Sequence, residues 1–163
     1  MRKLTISGVV FTLFLMIGTS VFAGESCYSM AEAEAEQGIR IHSELMVIGL
    51  NCQHMTPPGQ KNYYAQYREF TSHHESLFQD YESRLLNYFK RIGVQKPEKA
   101  LNDLRTSFAN KISENAAKMR PDVFCNRYKE RIGKAGHMNR QDVIKWATTF
   151  YDTHPVSHPI CEQ

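Results

Sequence analysis

Apolar and aromatic side chains recur every three or four positions from Tyr63 to Ile92, and this spacing restricts the fold more than any other feature. Residues three or four positions apart lie on the same face of an α-helix. The residues of this stripe are Tyr63, Tyr67, Phe70, His74, Leu77, Tyr81, Leu85, Tyr88 and Ile92. The pattern predicts one long helix over about 62–92, which ends at Gly93, a favoured C-terminal cap residue.

Four further helices are predicted from propensity and spacing. Their ranges are about 29–49, 97–119, 122–132 and 139–151. Alternating Ala and Glu residues favour the first of these helices, and Pro97 suits the first turn of the next one. In the last two, the residues expected to face the core are Val123, Phe124, Tyr128, Ile132, Val143, Trp146, Ala147, Phe150 and Tyr151. Since the tail over 154–161 is too rich in proline to be helical, we expect an all-α fold, a small bundle of about five helices.

Residues 1–23 have the three-part pattern of a cleavable secretory signal peptide. Arg2 and Lys3 precede an apolar run, and Ala23 completes a small-x-small cleavage site. The apolar run is shorter than the roughly 20 residues that a membrane-spanning helix requires. We therefore expect cleavage, a single helical domain over 24–163 without a stable membrane anchor, and a periplasmic or secreted location.

All four cysteines, Cys27, Cys52, Cys125 and Cys161, follow the predicted signal peptide. An even number of cysteines in a secreted chain indicates disulfides, and four cysteines allow three pairings. Short loops would make the first three helices antiparallel, which places Cys52 and Cys125 at the same end of the bundle. We therefore predict the pairs Cys52–Cys125 and Cys27–Cys161.

The charge of the mature chain argues against nucleic acid as a partner. The precursor has 20 basic and 17 acidic residues, and removal of Arg2 and Lys3 reduces its formal charge from +3 to +1. Binding to a phosphate backbone requires a larger excess of positive charge.

Two groups of histidines are candidates for metal ligands. His73 and His74 are adjacent, so in a helix they point about 100° apart, and the zinc-protease pattern fails because residue 78 is Phe. His154 and His158 could bind a metal together with Cys161 only if that cysteine were reduced. We therefore predict no metal site.

Motifs for covalent heme attachment and for a serine nucleophile are absent from the sequence. We predict no cofactor and assign no catalytic residue. The sequence favours a protein without enzymatic activity, and an enzyme with an unrecognised site remains an alternative.

The predicted helix over 62–92 contains three aromatic residues outside its main stripe, Tyr64, Phe78 and Phe89. Aromatic side chains are enriched at protein interfaces, so these three form a possible partner surface. A bundle that covers this helix from two sides would bury them instead, and we favour burial.

Several segments together resemble a group of uncharacterised small secreted helical proteins of proteobacteria. The segments are 40–52, 67–70, 104–110 and 124–125. The resemblance spans about residues 35–130 and implies that Cys52 pairs with Cys125. It implies no activity.

These observations favour a disulfide-stabilised helical binding or interaction protein, whose partner could be an envelope or extracellular protein. One alternative is a small envelope chaperone or inhibitor, which would expose an apolar patch of several hundred Å2. The other is an enzyme, which would require a concave pocket with convergent polar groups.

Overall fold

The computed structural model describes residues 26–162. Over these residues the protein is all-α, as predicted, with helices and isolated bridges but no β-strand. The helices are α1 (Met30–Cys52), α2 (Tyr63–His73), α3 (Glu75–Arg91), α4 (Pro97–Lys118), α5 (Pro121–Tyr128), α6 (Glu130–Ala135) and α7 (Arg140–Ala147), with a short 3-10 turn at Gln53–Met55.

Helix α1 is the centre of the fold. It contacts all six other helices, and buried residues occur on every side of it, including the polar Glu36, Gln37 and Arg40. Its first turn is stabilised by a capping box, in which the Ser29 backbone N–H donates to the Glu32 carboxylate at 2.8 Å. The other helices therefore form a shell around one buried helix.

Two glycines of α1 allow its neighbours to approach closely. A Cβ atom at Gly38 would lie 2.2 Å from the ring of Tyr81 on α3, and one at Gly49 would lie 3.2 Å from the Tyr64 Cα on α2. Larger residues at these positions would push α2 and α3 away from the central helix.

Both predicted disulfides are confirmed. Cys52 at the end of α1 bonds to Cys125 on α5, and Cys27 before α1 bonds to Cys161 in the tail. The Cα–Cα distances are 5.4 and 5.1 Å, respectively. These bonds indicate a non-reducing compartment.

The prediction of one helix over 62–92 is wrong in one respect, because the helix is interrupted at His74. This residue has φ −107° and ψ 19°, outside helical geometry, and it separates α2 from α3. Its imidazole is buried and its Nε2 donates to the Met138 carbonyl at 3.1 Å. A tertiary hydrogen bond thus holds the break at a position that the apolar stripe correctly placed in the core.

The fourth predicted helix, over 122–132, is also two helices. Lys129 separates α5 from α6, and α6 continues through Gly133 to Ala135. Phe124, Tyr128 and Ile132 are buried as expected, whereas Val123 is 49% exposed because it lies on the outer face of α5.

The last predicted helix is shorter than expected. Helix α7 ends at Ala147, and the Thr148 and Thr149 hydroxyls donate to carbonyls of its last turn. These local bonds compete with helix continuation. Val143 and Ala147 are buried, Trp146 and Phe150 are half-buried, and Tyr151 is exposed rather than directed to the core.

The tail beyond α7 is not helical, as predicted, and packs across α1. Gln37 Nε2 donates to the His154 carbonyl at 2.9 Å, and Arg40 Nη2 donates to the Pro155 carbonyl at 2.6 Å. The Ser157 backbone N–H donates to the Glu36 carboxylate at 2.8 Å. Polar residues on the central helix therefore fix the position of the tail.

The predicted signal peptide, residues 1–23, lies outside the described residues. Within 26–162 no helix is both long enough and apolar enough to cross a membrane.

Candidate functional site

The three aromatic residues of the possible partner surface, Tyr64, Phe78 and Phe89, are not exposed. Phe78 and Phe89 are 5% and 6% exposed, respectively, and Tyr64 is half-buried with its ring stacked on Tyr67 at 5.8 Å. Phe78 packs edge-on against His42 at 5.0 Å, because α3 is covered on this side by α1. Phe78 and Phe89 therefore belong to the core, the alternative that the sequence favoured over a partner surface.

The histidines considered as metal ligands have other contacts. His158 packs edge-on against Tyr28 and Tyr88, with ring centroids 5.0 and 5.1 Å away, and Cys161 is in a disulfide. Among residues 26–162, no three His, Cys, Asp or Glu side chains are grouped so that they could hold a metal ion.

A cleft of about 650 Å3 lies between α2 and the α6–α7 region. His73, His74 and His137 line it together with Glu69, whose carboxylate forms a 2.5 Å ion pair with Lys61. Among the described residues no lysine or arginine lines this cleft. Its one acidic lining residue, Glu69, is already paired, so the cleft offers a ligand mainly imidazoles and amides.

A second concavity is lined by more charged side chains than this cleft, and we call it the tail groove. It consists of two adjoining lobes that share Glu44, Arg131, Thr153 and His154. The basic lobe, about 430 Å3, is also lined by Lys111, Ile112, Asn115, Arg127 and Tyr128. The aromatic lobe, about 310 Å3, is also lined by Gln37, Arg40, Ile41, Trp146, Thr149 and Tyr151.

Three cations converge on the basic lobe from different elements: Lys111 from α4, Arg127 from α5 and Arg131 from α6. The Arg127 and Arg131 guanidinium carbons lie 5.6 and 5.1 Å from the centroid of the buried Tyr128 ring. Aromatic contacts of this kind orient a guanidinium without neutralising it. The lobe therefore presents positioned positive charges.

Within residues 26–162, Glu44 is the only acidic residue that lines either lobe. Its carboxylate pairs with Arg131 Nη1 at 3.1 Å, and its side chain is 14% exposed. One carboxylate among three cations leaves an excess of positive charge, and low-dielectric walls concentrate the resulting field. The basic lobe is therefore suited to an anion.

His154 lies where the two lobes meet. Its Nδ1 is 2.9 Å from the Thr153 hydroxyl, and its Nε2 is 3.9 Å from Glu44 Oε1. Burial lowers the pKa of His154, and Arg40, Lys111 and Arg131 act in the same direction against Glu44. The imidazole is therefore neutral at pH 7, and 3.9 Å is too long for the hydrogen bond that a Thr-His-Glu relay would need.

Arg40 lies beneath the aromatic lobe and is 5% exposed. Its guanidinium is stacked over Phe108 at 4.6 Å and lies 3.7 Å from Glu36 Oε1, and its Nε is buried without a hydrogen-bond partner among the described residues. Burial lowers the pKa of Arg40, against the opposing effect of Glu36 and Glu44, but arginine stays protonated in proteins. Arg40 is thus a buried cation that is paired with Glu36 and has one nitrogen left without a hydrogen bond in the described part of the chain.

The sequence did not indicate this site, because Lys111, Arg127 and Arg131 lie on three different helices and meet only when these helices pack. One sequence signal was available: Arg127 and Arg131 are four positions apart, and like charges at this spacing are unfavourable on a helix surface.

Comparisons of the chain with protein-family models, curated proteins and solved structures found no match.

Proposed function

We propose that this protein is a binding protein that holds a small anionic ligand, such as a phosphate or carboxylate compound, in the tail groove. The observation that carries the proposal is the convergence of Lys111, Arg127 and Arg131 on one lobe, where Glu44 is the only opposing charge from the part of the chain that the structure describes. Arginine forks match the oxygen geometry of phosphate and carboxylate groups, and the resulting hydrogen bonds are stronger than neutral ones.

The proposed location is the periplasm or the exterior of the cell. The signal-like pattern of residues 1–23 and the two disulfides support it together.

A chaperone or inhibitor that uses an apolar face has less support from the exposed residues. The large apolar side chains with the greatest exposure are Met30, Leu50, Val123, Tyr151 and Ile160. Met30 and Leu50 are 20 residues apart on α1, which corresponds to about 30 Å along a helix. These two residues therefore cannot belong to one compact patch.

The test is isothermal titration of the purified protein with inorganic phosphate at low ionic strength. The variant Lys111→Gln/Arg127→Gln removes two exposed groove cations, and Arg84→Gln/Lys99→Gln removes the same charge outside the groove. We expect the groove variant to bind at least about tenfold more weakly, because a hydrogen bond to a charged group contributes on the order of 1.5–3 kcal/mol. The control should bind like the wild type.

Equal affinities of the two double variants would reject the tail groove as the binding site. Added salt should weaken binding to the wild type, since the exposed part of the interaction is screened.

A further inference from the structure

We propose that the ligand of the tail groove is an amphipathic organic anion, whose charged group occupies the basic lobe and whose uncharged apolar part occupies the aromatic lobe. This inference rests on the anion site proposed above and specifies the class of ligand.

The two lobes are neighbours on the surface. Glu44, Arg131, Thr153 and His154 line both of them, so a ligand anchored in one lobe lies directly beside the other. Each lobe has a volume near the lower end of the range of about 300–1,000 Å3 found for small-molecule sites. A free phosphate ion would fill only part of the groove.

The two lobes differ in chemistry. Lys111 and Arg127 line only the basic lobe, whereas Trp146, Tyr151 and Ile41 line only the aromatic lobe. Tyr151 is 56% exposed, although its ring is large and lies beside a concavity. Aromatic rings of this kind provide a surface on which an apolar group can be removed from water.

The aromatic lobe offers no free carboxylate to an amine. Among the described residues its only acidic lining residue is Glu44, which is already paired with Arg131, and the Arg40 beneath the lobe is paired with Glu36. A ligand with an amine at its second end would therefore find no carboxylate to bind. The occupant of the aromatic lobe is uncharged or carries an acceptor.

The chain offers an internal reporter for this lobe, because Trp146 is its only tryptophan. We would titrate the full protein with methyl phosphate and with 4-phenylbutyl phosphate, which have the same anionic group and differ in their apolar part. Affinity and tryptophan fluorescence would be measured for both probes, with 4-phenylbutan-1-ol as the uncharged control.

The expected result is at least about tenfold tighter binding of 4-phenylbutyl phosphate than of methyl phosphate. Only the phenylbutyl compound should produce a saturable change in Trp146 emission at the same concentrations at which it binds. The substitution Tyr151→Ser removes an exposed ring and should reduce this advantage without changing the affinity for methyl phosphate.

The failures of the two proposals give different results. If Lys111→Gln/Arg127→Gln weakens methyl phosphate binding but both probes bind equally and Trp146 emission is constant, the anion site stands and the amphipathic ligand is rejected. Tighter binding of the phenylbutyl probe that is unchanged by Tyr151→Ser, with constant emission, also rejects it. If methyl phosphate binds the wild type and the Lys111/Arg127 variant equally, the anion site itself is rejected.

Discussion

Gly38 determines the distance between α1 and α3. A Cβ atom at this position would overlap the ring of Tyr81, which is fully buried and donates to Glu34 at 2.9 Å. We expect Gly38→Ala to reduce the free energy of unfolding in urea by roughly 1–3 kcal/mol, the usual cost of overpacking.

Gly133 provides the matched control for this substitution. It lies within α6, and an added Cβ meets no atom within 4 Å. Gly133→Ala should stabilise the protein by about 0.4–1 kcal/mol, because alanine restricts the unfolded chain. Equal effects of the two substitutions would contradict the close approach at Gly38.

Glu36 is a carboxylate without solvent exposure, and it is 3.7 Å from the Arg40 guanidinium. It also accepts hydrogen bonds from the Ser157 backbone N–H and hydroxyl. Glu36→Gln leaves Arg40 buried without its counter-charge and should cost about 3 kcal/mol in urea denaturation.

The control for Glu36→Gln is an exposed ion pair with the same nitrogen–oxygen distance. Glu114 and Lys118 are also 3.7 Å apart, but their side chains are 67% and 74% exposed, respectively. Glu114→Gln should cost less than about 0.5 kcal/mol because water screens this pair. A similar loss in both variants would show that burial does not amplify the Glu36 interaction.

At the scale of elements, the tail is held by the Cys27–Cys161 disulfide and by hydrogen bonds from α1. The bonded cysteines are 134 positions apart in sequence. Because hydrogen bonds from Gln37 and Arg40 remain, we expect Cys27→Ser/Cys161→Ser to fold, with a stability loss of up to roughly 5 kcal/mol in the chain-entropy account.

Hydrogen exchange would locate this effect. The Tyr28 N–H donates to Pro159 and the residue 161 N–H donates to Tyr28, both at 2.8 Å. These two amides should show the largest acceleration in the double serine variant. Unchanged exchange at both would mean that the disulfide does not hold the tail in place.

The starts of α1 and α7 can be predicted from the local sequence alone. Ser29 and Asn139 each form a capping box with an acidic residue three positions later, at the starts of α1 and α7. Such signals involve neighbours in the chain and can be recognised directly. The break at His74 depends on Met138, 64 positions away, so no local pattern predicts it.

At the scale of the whole molecule, three histidines make stability depend on pH. Burial lowers the pKa of His42, His74 and His154 from the usual 6.5, so protonation favours the unfolded state. The stabilising contribution is complete well above pH 6.5 and is lost as the pH falls through 6.5 towards the lower folded-state values.

We therefore expect the free energy of unfolding in urea to fall between pH 8 and pH 5.5. His42 is next to Tyr67, Arg105 and Glu82, and His42→Gln should reduce this difference. Substitution of the exposed His54 by Gln serves as the control. A pH profile that His42→Gln leaves unchanged would assign the dependence to other groups.

The all-α class, the positions of most helices and the disulfide pairing could be predicted from the sequence. Apolar spacing and capping are local properties, and short loops restrict which helix ends can meet. For Phe78 and Phe89 the sequence favoured burial but left a partner surface as an alternative, because their burial depends on which neighbours cover α3.

The tail groove could be recognised only in the tertiary structure. Lys111, Arg127, Arg131 and His154 come from three helices and the tail, and each resembles an ordinary solvated residue in the sequence. They converge because the other helices pack around the buried α1 and because hydrogen bonds from Gln37 and Arg40 hold the tail across it. Periodicity along one helix determines which face is apolar, whereas a binding site between segments depends on how the whole chain packs.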